Sequence, residues 1–276
     1  MTYVKQGWGL VRSQFPSVII LFLYQLLWGF FLYRIVNMAV IAVLSRYPDP
    51  PPTEISRLLY GLEAQLELQH NAAVHQYLWI LLGMIAIRLL LSPLLESGIL
   101  YGLLPQDSRK SGLPFFRGMK EFWRPVALFY LLELALLSLP FFWIGPRLLD
   151  QLPSLIRESS PSTSLLLISG YLLIYLIYGW LIHQVLLFIK FGYLFKAGLW
   201  TSVLICFRHM LQGILIAIVL GSLTLGIFLV FGLFSWIFTG ILALVLQQTY
   251  PFIRSLFQVW SVTSQYRLWH TRSQKG

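Results

Sequence analysis

Ionisable side chains set in apolar sequence are where this chain could do chemistry, because each costs a few kcal/mol in hydrocarbon unless paired or hydrated. Four stand out: Arg88 in IAIRLLL, Glu96 in SPLLESG, Glu133 in LLELALL and His183 in WLIHQVL. Arg88 and Glu133 lie roughly ten to twelve residues into oppositely running apolar stretches, so their depths nearly coincide and an ion pair is geometrically available. Such a pair fixes helix register or lines a transport route. Glu96 and His183 share a second depth nearer the inner face. A histidine beside a carboxylate can relay protons, or serve only as a structural hydrogen bond. Lys190 follows His183 by about two turns, which places it at the lipid headgroups as a candidate anionic-lipid contact, alongside Arg109 and Lys110 in a loop. Arg34 snorkels to the outer interface.

Conventional catalytic and metal-binding patterns are not found. His70 and His75 are five apart, which separates them around a helix, and Glu67 with His70 makes only one E-x-x-H pair. Asp49, Asp107 and Asp150 all fall in connections, and H-E-x-x-H, G-x-S-x-G and phosphate-loop patterns are missing. The expectation is a non-enzyme with no cofactor. Cys206 is the one cysteine, which excludes an intrachain disulfide.

The elements that must position these residues are six long apolar stretches, near 17–44, 76–104, 123–146, 164–194, 209–232 and 236–262. Hydrophobic residues make up 58% of the 276 and charged residues 11%, whereas a soluble domain carries about 25% charged. A helix is the only open-chain element that satisfies its own backbone in lipid. The sequence therefore predicts an all-α integral membrane bundle of six transmembrane helices in a single domain over 1–276, with too little left over for a soluble catalytic domain. The first stretch reads as a retained anchor, since it lacks a small-residue cleavage site.

Fourteen Lys and Arg fall before the first span, in the connections after spans two and four, and at the C-terminal end, against four on the other side. Basic residues in short loops stay cytoplasmic, so both termini are expected inside. The net charge of +10 is dispersed over these loops, which suits anionic lipids at the cytoplasmic face and not a nucleic acid. Pro93 and Pro251 are expected to kink the second and sixth spans, and the hairpin between spans five and six is expected around Gly232 to Ser235. In the external segment after YPDPPPT, Ile55, Leu58, Leu59, Leu62 and Leu66 predict an amphipathic helix, either packed at the interface or lying over the bundle mouth.

Two cytoplasmic segments look related. Gly118, Phe122 and Arg124 match Ser202, Cys206 and Arg208 in their offsets, and Gly9 with Ser13 repeats the first offset. The pattern suggests three two-helix repeats, each led by an interfacial amphipathic helix. With Gly98 and Gly102 in ESGILYGLL, Gly112 in the basic loop, and the lead-in through Gly118 and Trp123, residues 90–210 resemble the bacterial membrane domain found fused to glycerophosphodiester phosphodiesterases and its stand-alone relatives. The resemblance implies a six-helix domain with no catalytic residues to carry over. The soluble barrel and acidic metal site of the phosphodiesterase are missing, so its hydrolytic activity does not transfer.

The leading functional expectation is a multi-pass protein of the cell membrane, a bacterial plasma membrane, acting as a scaffold, assembly factor or component of a larger complex. The alternative is a small-solute transporter or channel, or a permease subunit, with Arg88, Glu133, Glu96 and His183 as its polar sites. A lipid-modifying enzyme would need an interfacial polar constellation that these residues do not assemble.

Overall fold

The computed structural model describes residues 2–44, 72–104, 114–158, 161–237 and 241–274, and these are all-α. Nine helices occur among them: α1 (Thr2–Ser13), α2 (Phe15–Leu44), α3 (Ala72–Tyr101), α4 (Pro114–Glu121), α5 (Trp123–Glu158), α6 (Pro161–Leu194), α7 (Leu199–Arg208), α8 (Met210–Ile237) and α9 (Ile241–Ser273). Among the described residues a short helix is followed by two long ones, three times over. Prolines begin α4 and α6, where a missing N–H costs nothing because the first-turn donors have no intrahelical partner.

Five of the long helices are apolar enough over a sufficient length to cross a bilayer: Phe15–Met38, Gln76–Tyr101, Trp123–Phe142, Ser169–Leu194 and Met210–Phe234. Continuous hydrophobicity dictates this directly, since about 20 apolar residues span the hydrocarbon. The sixth expected span, 236–262, falls largely on α9, which continues well past it to Ser273. Similarly α5 persists to Glu158, twelve residues beyond the apolar stretch that ends at 146. Loss of apolarity ends a span, but it does not end a helix. The expected turn at Gly232 to Ser235 is instead part of α8. Glycine within an apolar helix weakens it without terminating it.

Internal packing divides the chain into two compact units, Ile19–Ser92 and the combination of Met1–Val18 with Pro93–Gly276. In the smaller unit the Arg88 guanidinium lies over the Trp28 ring at 5.4 Å, a cation–π contact. Its outward residues are large and apolar, among them Leu23, Leu27, Phe30, Trp79, Leu82 and Leu90, as lipid exposure requires. The helix continues through Pro93, and the Ser92 hydroxyl donates to Arg88 O at 2.8 Å close to the carbonyl that the proline leaves unbonded.

The larger unit has a core of Leu100, Val126, Leu187, Phe188, Phe191, Leu268 and Trp269. Small residues let the short helices sit directly on long ones. A Cβ on Gly7 of α1 would meet Ser264 of α9, one on Gly118 of α4 would meet Ser97 O and Tyr101 of α3, and one on Gly192 of α6 would meet Ser202 of α7. In α1 the buried pair is thus Gly7 and Val11, whereas Gly9 and Ser13 are exposed. Trp260 Nε1 donates to Val4 O at 2.8 Å, and the Trp8 ring packs at a tilt against Trp260 with centroids 4.8 Å apart, fixing α1 against α9. Between α6 and α7 the chain turns through Lys196 at φ 56° and Gly198 at φ 93°. Both have positive φ, and at Gly198, with ψ 141°, the conformation is one that only glycine adopts without steric penalty.

Candidate functional site

His183 and Lys190 are seven residues apart on α6, which is about two turns, so they lie one above the other on a single helix face. Glu133 of α5 fits between them. His183 Nδ1 is 2.7 Å from Glu133 Oε1, and Lys190 Nζ is 3.4 Å from Glu133 Oε2. Lys190 Nζ also donates to Glu96 Oε1 of α3 at 2.7 Å. Four ionisable groups from three helices therefore form one chain in the order His183, Glu133, Lys190, Glu96.

Burial varies along this chain. The Lys190 side chain is 1% exposed, Glu133 13%, Glu96 24% and His183 50%. An ammonium so deeply enclosed is tolerated only with carboxylates in direct contact, since an unpaired charge there would neutralise or unfold the site. The network sets two carboxylates around one ammonium, with His183 the member most open to the surroundings.

Helices α5 and α6 are tied together further along. Tyr178 Oη donates to Leu136 O at 2.9 Å and Tyr175 Oη to Leu137 O at 3.3 Å. One residue after His183 and facing away from it, Gln184 Nε2 donates to Gln265 Oε1 of α9 at 2.5 Å, with both side chains buried. The amide of Gln14, at the junction of α1 and α2, is buried with neither end bonded among the described residues.

Of the residues singled out in the sequence, Glu96, Glu133 and His183 come together here. Glu133 takes His183 and Lys190 as partners in place of the expected Arg88, which is found on Trp28 instead. Equal depth was a weak criterion because it ignores which faces two helices present. Lys190 corrects another expectation: enclosed between Glu96 and Glu133, its ammonium has no face left for a lipid headgroup. The seven-residue spacing from His183 was the signal that placed it on the same stripe. Arg109 and Lys110, with His70, Glu67 and the amphipathic segment after YPDPPPT, lie outside the described residues. No protein-family model, curated protein or solved structure matches this chain.

Proposed function

We propose that this chain is a non-catalytic membrane protein, a scaffold, assembly factor or component of a larger complex, in which the charged network locks three helices together. The observation that carries this reading is the complete enclosure of Lys190 between two carboxylates. Its charge is used up internally, as a structural lock requires, and a buried pair of this kind specifies register better than it adds stability. The proposal includes six crossings with both ends cytoplasmic. Once Lys190 moves to the interior, thirteen basic residues against four still favour that orientation. It also includes three repeats, supported by the recurring short, long, long helix order and by small residues joining α1 to α9, α4 to α3 and α7 to α6. Kinship with the membrane domain that accompanies glycerophosphodiester phosphodiesterases belongs to the same proposal, without the hydrolase.

A second reading, proton-linked movement of a small solute, is favoured by one feature. His183 is half exposed at the end of a charged chain that runs inward to the buried Lys190. Proton flux in proteoliposomes separates the two. The scaffold reading expects no flux above that of empty vesicles under an imposed pH gradient. Flux in the wild type that disappears in Glu133→Gln, with the variant still folded, would overturn it in favour of a carrier.

A further inference from the structure

The short helix α7 presents two unlike faces. Ser202 and Cys206 are buried against the bundle, while Trp200, Leu204 and Phe207 are exposed, Trp200 at 87%, and Leu211 extends the same stripe into α8. Spacings of four and three residues put Trp200, Leu204 and Phe207 on one side of α7. An exposed tryptophan in such a stripe suits the boundary between headgroups and acyl chains.

Where this stripe ends, positive charge gathers from three elements. Arg208 closes α7 and is exposed, and His209 is the single residue between α7 and α8. Arg272 lies in the last turn of α9, which packs on α7 through Trp269 Nε1 donating to Ser202 Oγ at 3.0 Å. Among the described residues the Arg272 Nε is buried without a hydrogen-bond acceptor. The N-terminus of α8 adds the positive end of a helix dipole, with Gln212 N and Gly213 N already donating to His209 O. Burial first, then Arg272 and Arg208, hold the His209 imidazole below its ordinary value.

We infer that the end of α7, the start of α8 and the last turn of α9 form a binding site for an anionic phospholipid. Arg208 and Arg272 take its phosphate, and the Trp200, Leu204 and Phe207 stripe takes its acyl chains. A guanidinium matches phosphate geometry with paired donors, and Arg208 is exposed to offer them. The adjacent apolar stripe makes a lipid the occupant, since a free phosphate would use only half of the surface. The site is independent of whether the chain is a scaffold or a carrier.

Native mass spectrometry of the full chain in detergent, titrated with phosphatidylglycerol or phosphatidylcholine, tests this. Each basic residue near an anionic membrane surface contributes about 1 kcal/mol, so two give phosphatidylglycerol a preference of about tenfold or more. Arg208→Gln should reduce that preference several-fold, and Arg208→Gln with Arg272→Gln should nearly abolish it, while Arg34→Gln on α2 leaves it intact. Equal binding of the two lipids by the wild type overturns the inference and requires no variant. A preference that survives the double substitution overturns it as well, and so does loss of phosphatidylglycerol to millimolar inorganic phosphate, which would mark a site for the free ion.

Discussion

Lys190→Met removes the ammonium that holds the network together while keeping a side chain of similar length. At an effective dielectric of about 20, contacts of 2.7 Å to Glu96 and 3.4 Å to Glu133 amount to gross attractions of about 6 and about 5 kcal/mol. Desolvation of the three groups offsets most of this, and breaking a buried pair by deleting one partner costs a net of about 3–5 kcal/mol, because the remaining charges stay enclosed. At about 2–4 °C per kcal/mol, the melting midpoint should fall on the order of 10 °C. The assay is a thermal ramp in mild detergent, read as monodisperse protein surviving size-exclusion chromatography. Neutralising the whole group, in Lys190→Met with Glu96→Gln and Glu133→Gln, should restore the midpoint to within about 1–2 kcal/mol of the wild type. The reasoning is refuted if Lys190→Met melts with the wild type, or if the triple variant is no better than the single.

Gly192→Ala should destabilise by about 1–3 kcal/mol in the same assay, because its Cβ would meet the backbone oxygen of Gly198 at 2.6 Å as well as Ser202. Gly9→Ala, with nothing within 4 Å, should be neutral or stabilise by up to about 1 kcal/mol. Gln265→Leu should cost about 1–3 kcal/mol by orphaning the buried Gln184 amide, and Gln184→Leu in the same chain should recover most of it. Burial pushes the Cys206 thiol from 9.0 up to about 11. Its neutral form thus belongs to the folded state, with the stability this gives fully present below pH 9 and lost as pH rises towards 11. Maleimide labelling at pH 8 should be slow in the native protein and rapid after denaturation.

Much of the helical framework was legible because lipid leaves a chain few options. The first five apolar stretches correspond to helices long enough to cross, since hydropathy reports the solvent directly. Helix ends were not legible, as α5 and α9 show by running on through polar sequence. The site was legible in its membership and not in its pairing. Glu96, Glu133 and His183 were conspicuous as costly residues, but partner choice depends on which helix faces meet, and depth along the axis carries no such information. Lys190 illustrates the point. Near the end of a span, a lysine that snorkels and a lysine that is enclosed have the same sequence context, and only the neighbouring helices distinguish them. Likewise the buried small residue of α1 is Gly7 and not Gly9 because Ser264 of α9, 257 residues away in sequence, selects the face.

Sidedness of the two chain ends is the measurement that reaches furthest into this account. Five helices are apolar enough to cross, and the proposal adds α9 as a sixth, which returns the chain to the side it started from. With small epitope tags at both ends, protease added to sealed inside-out membrane vesicles should remove both, and protease added to right-side-out vesicles should remove neither. Removal of one tag while the other stays protected would mean an odd number of crossings, and the six-helix membrane topology proposed here would be wrong.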